Sequence, residues 1–232
     1  MIIGITGGTG CGKTTLLNLI ADQGGLILDC DAIYHELLIS NKEMLADIDQ
    51  RFPGVVENGA LNRKKLGAIV FADENALQDL NRITHSAVKA EVLHRLEKAP
   101  KLAAIDAIGL FEGGLADLCD VTVAVTAPEE ARVQRLMKRD NISEDYARSR
   151  IRAQHQEDWF REKCDHLLIN DGELDAFATK CLAFLDTMGI MKEKCTKEKI
   201  NISSCQYKGF ILHTQQVQTN HSKDNTTPDL QW

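Results

Sequence analysis

Three absences narrow the class of this chain before any motif is considered. No apolar stretch approaches the roughly 20 residues of a membrane-spanning helix, so we expect no membrane partner. Positive charge is not in excess: the formal net charge is −7, which argues against broad binding to nucleic acid. The seven cysteines are odd in number and form no C-x-x-C pair, so we expect neither a disulfide framework nor a zinc site.

We also expect no signal peptide. Met1 is followed at once by the apolar run of residues 2–6, so we expect a cytoplasmic protein. Hydrophobic residues make up 44% of the 232 positions and charged residues 26%, which is typical of a soluble globular protein. This length suits one α/β domain, with room for an inserted subdomain.

The most informative stretch follows the first predicted strand. Gly7, Gly12, Lys13 and Thr14 fill the fixed positions of the phosphate-binding loop G-x-x-x-x-G-K-[ST], and an apolar-periodic helix follows. Glycines let successive N–H groups turn inward around an anion, and the helix start adds its positive dipole end. The residues predicted to bind the phosphates of ATP are Gly7, Gly8, Thr9, Gly10, Cys11, Gly12, Lys13, Thr14 and Thr15.

Within this loop, Lys13 supplies a charge for the outer phosphates, and the Thr14 hydroxyl can coordinate Mg²⁺. Two other interpretations are a glycine-rich turn between core elements and a dinucleotide-binding loop. The second has a loose glycine pattern and Asp29 at a distance that suits a ribose-binding acid. A lysine directed at a third phosphate argues against a dinucleotide.

Acidic residues follow two other predicted strands. Asp31 comes after the strand at residues 26–28 and at a helix start, so it is either a functional carboxylate or a helix cap. Asp29 has the same structural alternative, and two acids cannot both cap one helix. Asp106 ends the strand at residues 102–106, where it can reach Mg²⁺ or merely begin a turn.

Two further segments are predicted to surround the loop. Residues 41–99 contain helices and a turn-rich link near residues 53–59 but no predicted strand, which suits a substrate-recognition insertion carrying Arg63, His85 and Lys89. Each of these three is alternatively an exposed residue of a helix face. After the strand, a flexible loop over residues 109–114 offers Leu110 and Phe111 for apolar contact with a ligand.

Residues 132–163 concentrate positive charge, with two arginine-rich helices predicted around a short break. This pattern is typical of a lid over a triphosphate, since the guanidinium fork binds phosphate oxygens bidentately. The alternative is a solvated face whose arginines pair with Glu129, Glu130, Glu144 and Asp145. Beyond residue 191 the composition becomes polar, and we predict a largely disordered tail over residues 192–232.

Taken in order, these segments resemble the dephospho-CoA kinase family over about residues 1 to 187. The resemblance rests on residues 5–14, 29–33, 59–63, 69–71, 83–85, 110–112, 135–136, 139–140 and 165–170. Two departures are visible. Ser86 stands where the family usually has proline, and residues 107–110 replace its usual Pro-Leu-Leu run.

The resemblance implies an α/β three-layer sandwich of the phosphate-loop kinase type, with a five-stranded parallel sheet, a helical substrate-binding insertion and an arginine-rich lid. It divides residues 1–191 into a core (1–40, 100–138 and 164–191), a CoA-binding subdomain (about 41–99) and a lid (about 139–163). It also implies ATP as co-substrate, Mg²⁺, dephospho-CoA as the small-molecule partner, and a monomer or weak homo-oligomer.

By position, the resemblance makes Asp31 the catalytic carboxylate, Lys13 the phosphate binder and Arg139 the lid arginine. Thr14 becomes the metal ligand, and Arg63 and His85 lie on the substrate side. Two alternatives stay open at this point. One is another small-molecule or nucleoside kinase on the same scaffold. The other is a nucleotide-dependent switch, for which Asp106 and Gly109 fit a D-x-x-G pattern.

Overall fold

The computed structural model describes residues 1–190, so the predicted tail over residues 192–232 lies outside the described part of the chain. The strands, numbered along the chain, are β1 (Ile2–Thr6), β2 (Leu26–Asp29), β3 (Val56–Glu57), β4 (Ala60–Leu61), β5 (Ala103–Asp106), β6 (Val121–Thr126) and β7 (His166–Ile169). The helices are α1 (Lys13–Asp22), α2 (Cys30–Ser40), α3 (Lys42–Arg51), α4 (Arg63–Val70), α5 (Glu74–Leu96), α6 (Glu129–Asp140), α7 (Glu144–Arg152), α8 (Glu157–Lys163) and α9 (Leu174–Thr187), and a short 3₁₀ helix covers Ala116–Leu118.

Five strands form one parallel sheet in the order β2-β5-β1-β6-β7, which confirms the predicted architecture. The central strand β1 is apolar on both faces, as a parallel strand covered by helices must be. All five strands end at the same edge of the sheet. At that edge Asp29 of β2 lies opposite Asp106 of β5 in register, next to the loop that leaves β1. Open α/β sheets place their ligands at such an edge.

Short-range sequence signals account for most helix starts. In five cases a side chain before the first turn accepts a hydrogen bond from a backbone N–H two or three residues later, as expected of helix caps. These caps are Asp29, Asn41, Asn62, Asp73 and Ser143. Helix α1 differs, because Gly12 precedes it in a left-handed conformation and supplies no side-chain cap.

The core lies on both faces of the sheet. Helices α1 and α9 cover one face around Ile5, Ile20 and Phe177, and helices α2 to α5 pack against β2 and β5 on the other. A small separate cluster joins α6 to α7 through Val133 and Ile151. In the described part of the chain, no helix combines the length and the apolar character required to cross a bilayer.

Two details of the secondary structure differ from the sequence prediction. The turn-rich link is a β3–β4 hairpin, with Asn58 and Gly59 both at positive φ. An Asn-Gly pair at such angles is the usual chemistry of a tight hairpin turn. The basic segment contains three helices rather than two, since α8 follows α7. The structure also decides between two alternatives left open by the sequence: helix α2 begins at Cys30, so Asp31 lies in its first turn and is not its cap.

Candidate active site

The loop between β1 and α1, residues 7–14, is held in one conformation by close packing. Gly7 has a φ of 132°, and a Cβ there would lie 2.1 Å from the Val125 carbonyl oxygen. Gly12 has a φ of 96°, and a Cβ there would lie 2.4 Å from the Asn170 side-chain nitrogen. A larger residue would clash with the β6 backbone at Gly7 and with the Asn170 side chain at Gly12, and at both positions it would adopt strained backbone angles.

Four side chains fix the loop carbonyls. Lys13 Nζ donates to the Gly7 oxygen at 3.0 Å and Asn170 Nδ2 to the Cys11 oxygen at 2.9 Å. Two arginines of α6 complete the set: Arg132 Nε donates to the Thr9 oxygen at 2.9 Å and Arg135 Nη1 to the Gly10 oxygen at 3.1 Å. The C=O and the next N–H point in opposite directions in a trans peptide, so fixing these carbonyls also fixes the amides that follow them.

The start of α1 suits an anion. Its first turn contains no acidic residue and no side chain caps its N–H groups, so the positive end of the helix dipole is not neutralised. Thr14 is exposed in this first turn, where its hydroxyl can reach a bound ligand. A backbone nest followed by a bare helix N-terminus is the arrangement that holds phosphate groups in nucleotide-binding proteins.

Asp106 lies behind the loop in an unusual state. Its Oδ1 is buried, accepts no hydrogen bond, and lies 4.0 Å from Lys13 Nζ. Burial raises the pKa of Asp106 to about 6, Lys13 opposes this, and the nearby Asp29 and Asp31 add to it. A buried carboxylate oxygen that accepts no hydrogen bond is the group a cation would satisfy. The residues therefore fit a bound Mg²⁺, with Thr14 and Asp106 as the available oxygens.

Within residues 1–190, no three His, Cys, Asp or Glu side chains form a ready-made metal cluster. A Mg²⁺ ion held by one or two protein oxygens depends on phosphate oxygens and water for its other ligands. The metal would therefore bind here together with the nucleotide.

The two acids after β2 have separate environments. Asp29 Oδ1 accepts a hydrogen bond from the Ala32 N–H at 3.0 Å, so Asp29 is the cap of α2. This settles which acid occupies the capping position. The Asp31 side chain is exposed at the strand edge, near enough to Asp106 to raise the pKa of that carboxyl.

The residues predicted on the substrate side are not all available to a ligand. Arg63 is exposed at the start of α4 beside the buried Tyr34, whose pKa is raised by burial and lowered by the Arg63 charge. His85 is half-buried on α5, and its pKa is lowered by burial, although Glu112 opposes this. Leu110 is fully buried in the core, so the prediction that it packs against a ligand is corrected.

Phe111 is only partly buried, and it joins the predicted insertion side to the predicted lid. Its ring meets Trp159 of α8 edge-on at 5.5 Å, and Trp159 stacks on His155 at 3.8 Å. His155 Nε2 lies 2.8 Å from Glu112 Oε1. These contacts bring α8 and the segment before it against the loop that follows β5.

The arginines of α6 and α7 divide into two groups. Arg139 forms two hydrogen bonds with the Asp140 carboxylate, at 2.6 and 2.9 Å, which raises the pKa of Arg139. Arg148 pairs with Glu129, Glu130 and Glu144, as the solvated-face alternative predicted. Arg132 and Arg135 instead reach the phosphate loop. Sequence reasoning placed both in the basic segment but could not distinguish them from their neighbours.

The fold and the loop define the class first: the chain is a phosphate-loop kinase of the three-layer α/β type. A shikimate kinase structure from Bacteroides thetaiotaomicron shares this fold, with a TM-score of 0.50, 15% identity and 82% of this chain and 98% of that chain covered. A family model described as dephospho-CoA kinase matches residues 1–176. The chain therefore belongs to the dephospho-CoA kinase family.

Individual relatives agree with this assignment. A dephospho-CoA kinase of Moorella thermoacetica is 36% identical over 182 residues, which cover 75% of this chain and 86% of the relative. One from Bacillus licheniformis is 33% identical over 193 residues, covering 81% and 96%. The solved dephospho-CoA kinase of Campylobacter jejuni superposes with a TM-score of 0.60 at 26% identity, covering 82% of this chain and 98% of that chain.

Proposed function

We propose that the protein transfers the terminal phosphoryl group of ATP to the ribose 3′-hydroxyl of dephospho-CoA, which forms coenzyme A. Family membership over residues 1–176 is the observation that carries this proposal. The site is compatible with it, because a phosphate loop, a partly buried lysine–carboxylate pair and an exposed acid all lie at one edge of the sheet. In this role the protein is a soluble enzyme of the cytoplasm.

Phosphoryl transfer requires in-line positioning, neutralisation of charge and an oriented nucleophile. The amides of residues 7–14 hold the phosphates, with Lys13 at the outer ones. A sugar hydroxyl is a weak nucleophile whose proton must be accepted as the new bond forms. The exposed carboxylate of Asp31 accepts that proton and orients the hydroxyl, while Asp29 remains bound to the backbone of α2.

Thr14 and Asp106 hold Mg²⁺ in this proposal, and the ion supplies positive charge against the phosphate oxygens when it is bound. Without the ion, Asp106 is held in a medium that disfavours its charge, as its raised pKa indicates. Arg139 is the lid arginine of the proposal. It lies at the end of α6, exposed and aligned by Asp140, from where it approaches the phosphates as the lid closes.

The acceptor side is formed by the insertion. In this proposal Arg63 supplies positive charge for the phosphates of dephospho-CoA, and His85 and Phe111 contact the acceptor; His85 lies close to Glu112, in the loop after β5. Residues 41–99 are then the acceptor-binding subdomain and residues 139–163 the lid, with the remaining residues up to 190 as the core.

The test is the dependence of ATP consumption on the acceptor. Turnover in the presence of Mg²⁺ should require dephospho-CoA and should fail with shikimate or a free nucleoside. Rapid turnover with another small alcohol, and none with dephospho-CoA, would assign the chain to a different small-molecule kinase on the same scaffold. ATP hydrolysis that no acceptor stimulates would favour a nucleotide-dependent switch.

A further inference from the structure

The strongest unexplained feature of the site is Arg132. Arg132 is only 7% exposed, and its guanidinium lies against the phosphate loop. Both of its hydrogen bonds go to neutral oxygens: the Thr9 carbonyl and the Gln154 side-chain oxygen. In the part of the chain that the structure describes, no carboxylate lies within ion-pair distance of it. Burying a guanidinium without a counter-charge lowers the stability of the protein, unless a bound anion neutralises the charge.

The partner of Arg132 marks the position of that anion. Gln154 Oε1 accepts a hydrogen bond from Arg132 Nη2 at 2.9 Å and a second from the backbone N–H of Thr9, also at 2.9 Å. Both partners can only donate, so the atom between them must be the amide oxygen. A cationic donor and a loop N–H that converge on one oxygen form the environment that phosphate-binding loops offer to a phosphate oxygen.

Gly8 shows how closely this arrangement approaches the backbone. A Cβ at Gly8 would lie 2.2 Å from Arg132 Nη2 and 3.0 Å from Gln154 Oε1. The guanidinium and the amide therefore occupy space that a side chain of the loop would fill. Thr9 is four residues before Lys13, on the half of the loop away from the start of α1. The helix start cradles the inner phosphates, so the Thr9 half faces the terminal one.

We propose that the Gln154 side-chain oxygen holds the place of an oxygen of the terminal phosphate, and that ATP replaces it between Thr9 and Arg132. Gln154 follows the last turn of α7, whereas Thr9 belongs to the loop after β1, so this contact connects the basic helices to the phosphate loop. When ATP binds, the Thr9 N–H and the Arg132 guanidinium release the Gln154 oxygen and donate to the phosphate instead. Arg132 is then a binding residue for the transferred group in addition to Lys13.

This inference rests on the proposed function, because it concerns the same nucleotide site. It predicts that Gln154 affects the affinity for ATP and the affinity for ADP differently. ADP lacks the terminal phosphate, so it does not compete with the Gln154 oxygen. A change at Gln154 should therefore alter the affinity for ATP and leave the affinity for ADP nearly unchanged.

The first variant is Gln154→Glu, which puts a permanent carboxylate oxygen between the same two donors. Since a charged acceptor binds an arginine more strongly than a neutral one, the dissociation constant for Mg–ATP should rise at least about tenfold. The constant for Mg–ADP should change less than about threefold, a difference of under 1 kcal/mol. The melting temperature of the free protein should equal or exceed that of the wild type.

The matched control is Gln156→Glu. It adds the same charge two residues away, on an exposed side chain. Its effects on ATP and ADP should be small and equal. Both constants are measured by isothermal titration calorimetry on the full chain, with each nucleotide in excess Mg²⁺.

A second variant, Gln154→Leu, keeps the size and removes the acceptor. It leaves the Arg132 guanidinium and the Thr9 N–H without a partner until ATP arrives. The free protein should melt at a lower temperature than the wild type, and the rise on adding Mg–ATP should be larger. The rise with Mg–ADP should match that of the wild type.

Three results would overturn the inference: equal weakening of ATP and ADP in Gln154→Glu, the same selectivity in Gln156→Glu, or a free Gln154→Glu protein that melts below the wild type. A wild-type protein that phosphorylates dephospho-CoA while Gln154→Glu binds ATP normally refutes this inference alone. A wild type that binds ATP with the expected Gln154 dependence but phosphorylates no dephospho-CoA refutes the proposed function alone.

Discussion

Asp31 and Asp29 are two residues apart, and we expect different roles for them: Asp31 is the catalytic base and Asp29 is the cap of α2. Asp31→Asn keeps the size of the side chain but cannot accept a proton, so turnover should fall by about 10²–10⁴-fold, the usual contribution of general acid–base help. The melting temperature and ATP affinity should remain those of the wild type. Steady-state phosphorylation of dephospho-CoA, measured beside a thermal melt, gives both quantities.

The control is Asp29→Asn, because asparagine caps helices nearly as well as aspartate. Since Asp29 serves α2 through its bond to the Ala32 N–H, this variant should keep most of its turnover. Loss of turnover in the Asp29 variant and not in the Asp31 variant would reverse the assignment of the base.

Asp106 should make the stability of the nucleotide-free protein depend on pH. Burial raises its pKa from the ordinary value of 3.8 to about 6 in the folded protein, so between these values the folded state holds a proton that the unfolded state has lost. Its contribution to stability is therefore lost as pH rises through this window. Asp106→Asn, which cannot ionise, should gain melting temperature relative to the wild type between about pH 4 and pH 7.

The measurement is a thermal melt of both proteins across that pH range, first without and then with Mg–ATP. A constant difference between the two proteins at all pH values would contradict the raised pKa. In the presence of Mg–ATP the melting temperature of the wild type should rise more than that of Asp106→Asn, since the metal then satisfies the Asp106 oxygen.

Some residues of the site could be predicted from the sequence, and others could not. Gly7, Lys13 and Thr14 follow from a motif of eight consecutive positions, and each has its role because of its immediate neighbours. Arg132 and Asn170 bond to loop residues 123 and 159 positions away. No local pattern ranks Arg132 above Arg139. The burial of Leu110 likewise depends on packing between distant elements.

At the scale of elements, we expect nucleotide binding by the phosphate loop to depend on Lys13. Lys13→Ala removes the charge at the outer phosphates, and it also removes the hydrogen bond to the Gly7 oxygen and the ion pair with Asp106. Mg–ATP at 100 times its dissociation constant stabilises the wild type by about 2.7 kcal/mol. The variant should lose most of the resulting rise in melting temperature and should melt near the wild type when free. Equal rises in both proteins would refute the assignment of the loop.

Helices α6 and α7 allow a matched comparison of two arginines. Arg139→Ala should lower turnover by about 10²-fold or more, as expected for a group that stabilises transferred charge, with little effect on the melt. Arg148→Ala removes the link from Glu144 to Glu129 and Glu130 and should change the melting temperature little, because exposed ion pairs contribute little to stability. Its turnover should stay near that of the wild type. A reversed pattern would assign the catalytic arginine to position 148.

The helices and strands were easier to predict from the sequence than the connections between them. The five parallel strands and the long α5 have strong apolar periodicity, so the sequence predicts them well. The β3–β4 hairpin contains two residues on each side, too few for an alternating pattern, although Asn58-Gly59 was its visible signal. The break between α7 and α8 contains no glycine or proline, so the basic segment offered no local marker for it.

At the scale of the whole molecule, the function depends on the edge of the sheet where β1, β2 and β5 end. The first carries the phosphate loop, the second is followed by Asp31, and the third ends in Asp106. These residues are separated by about a hundred positions in sequence and are brought together only by the parallel pairing of the strands. The central claim is that this edge directs a phosphoryl group to one particular hydroxyl.

The most direct test is the position of the new phosphate. The full chain is incubated with Mg–ATP and either dephospho-CoA or its 3′-deoxy analogue, and the products are identified by phosphorus NMR and mass spectrometry. We predict one phosphomonoester per ATP consumed, located on the ribose 3′-oxygen, and no product from the deoxy analogue. A phosphate at any other position of dephospho-CoA, or a phosphorylated deoxy analogue, would contradict the account.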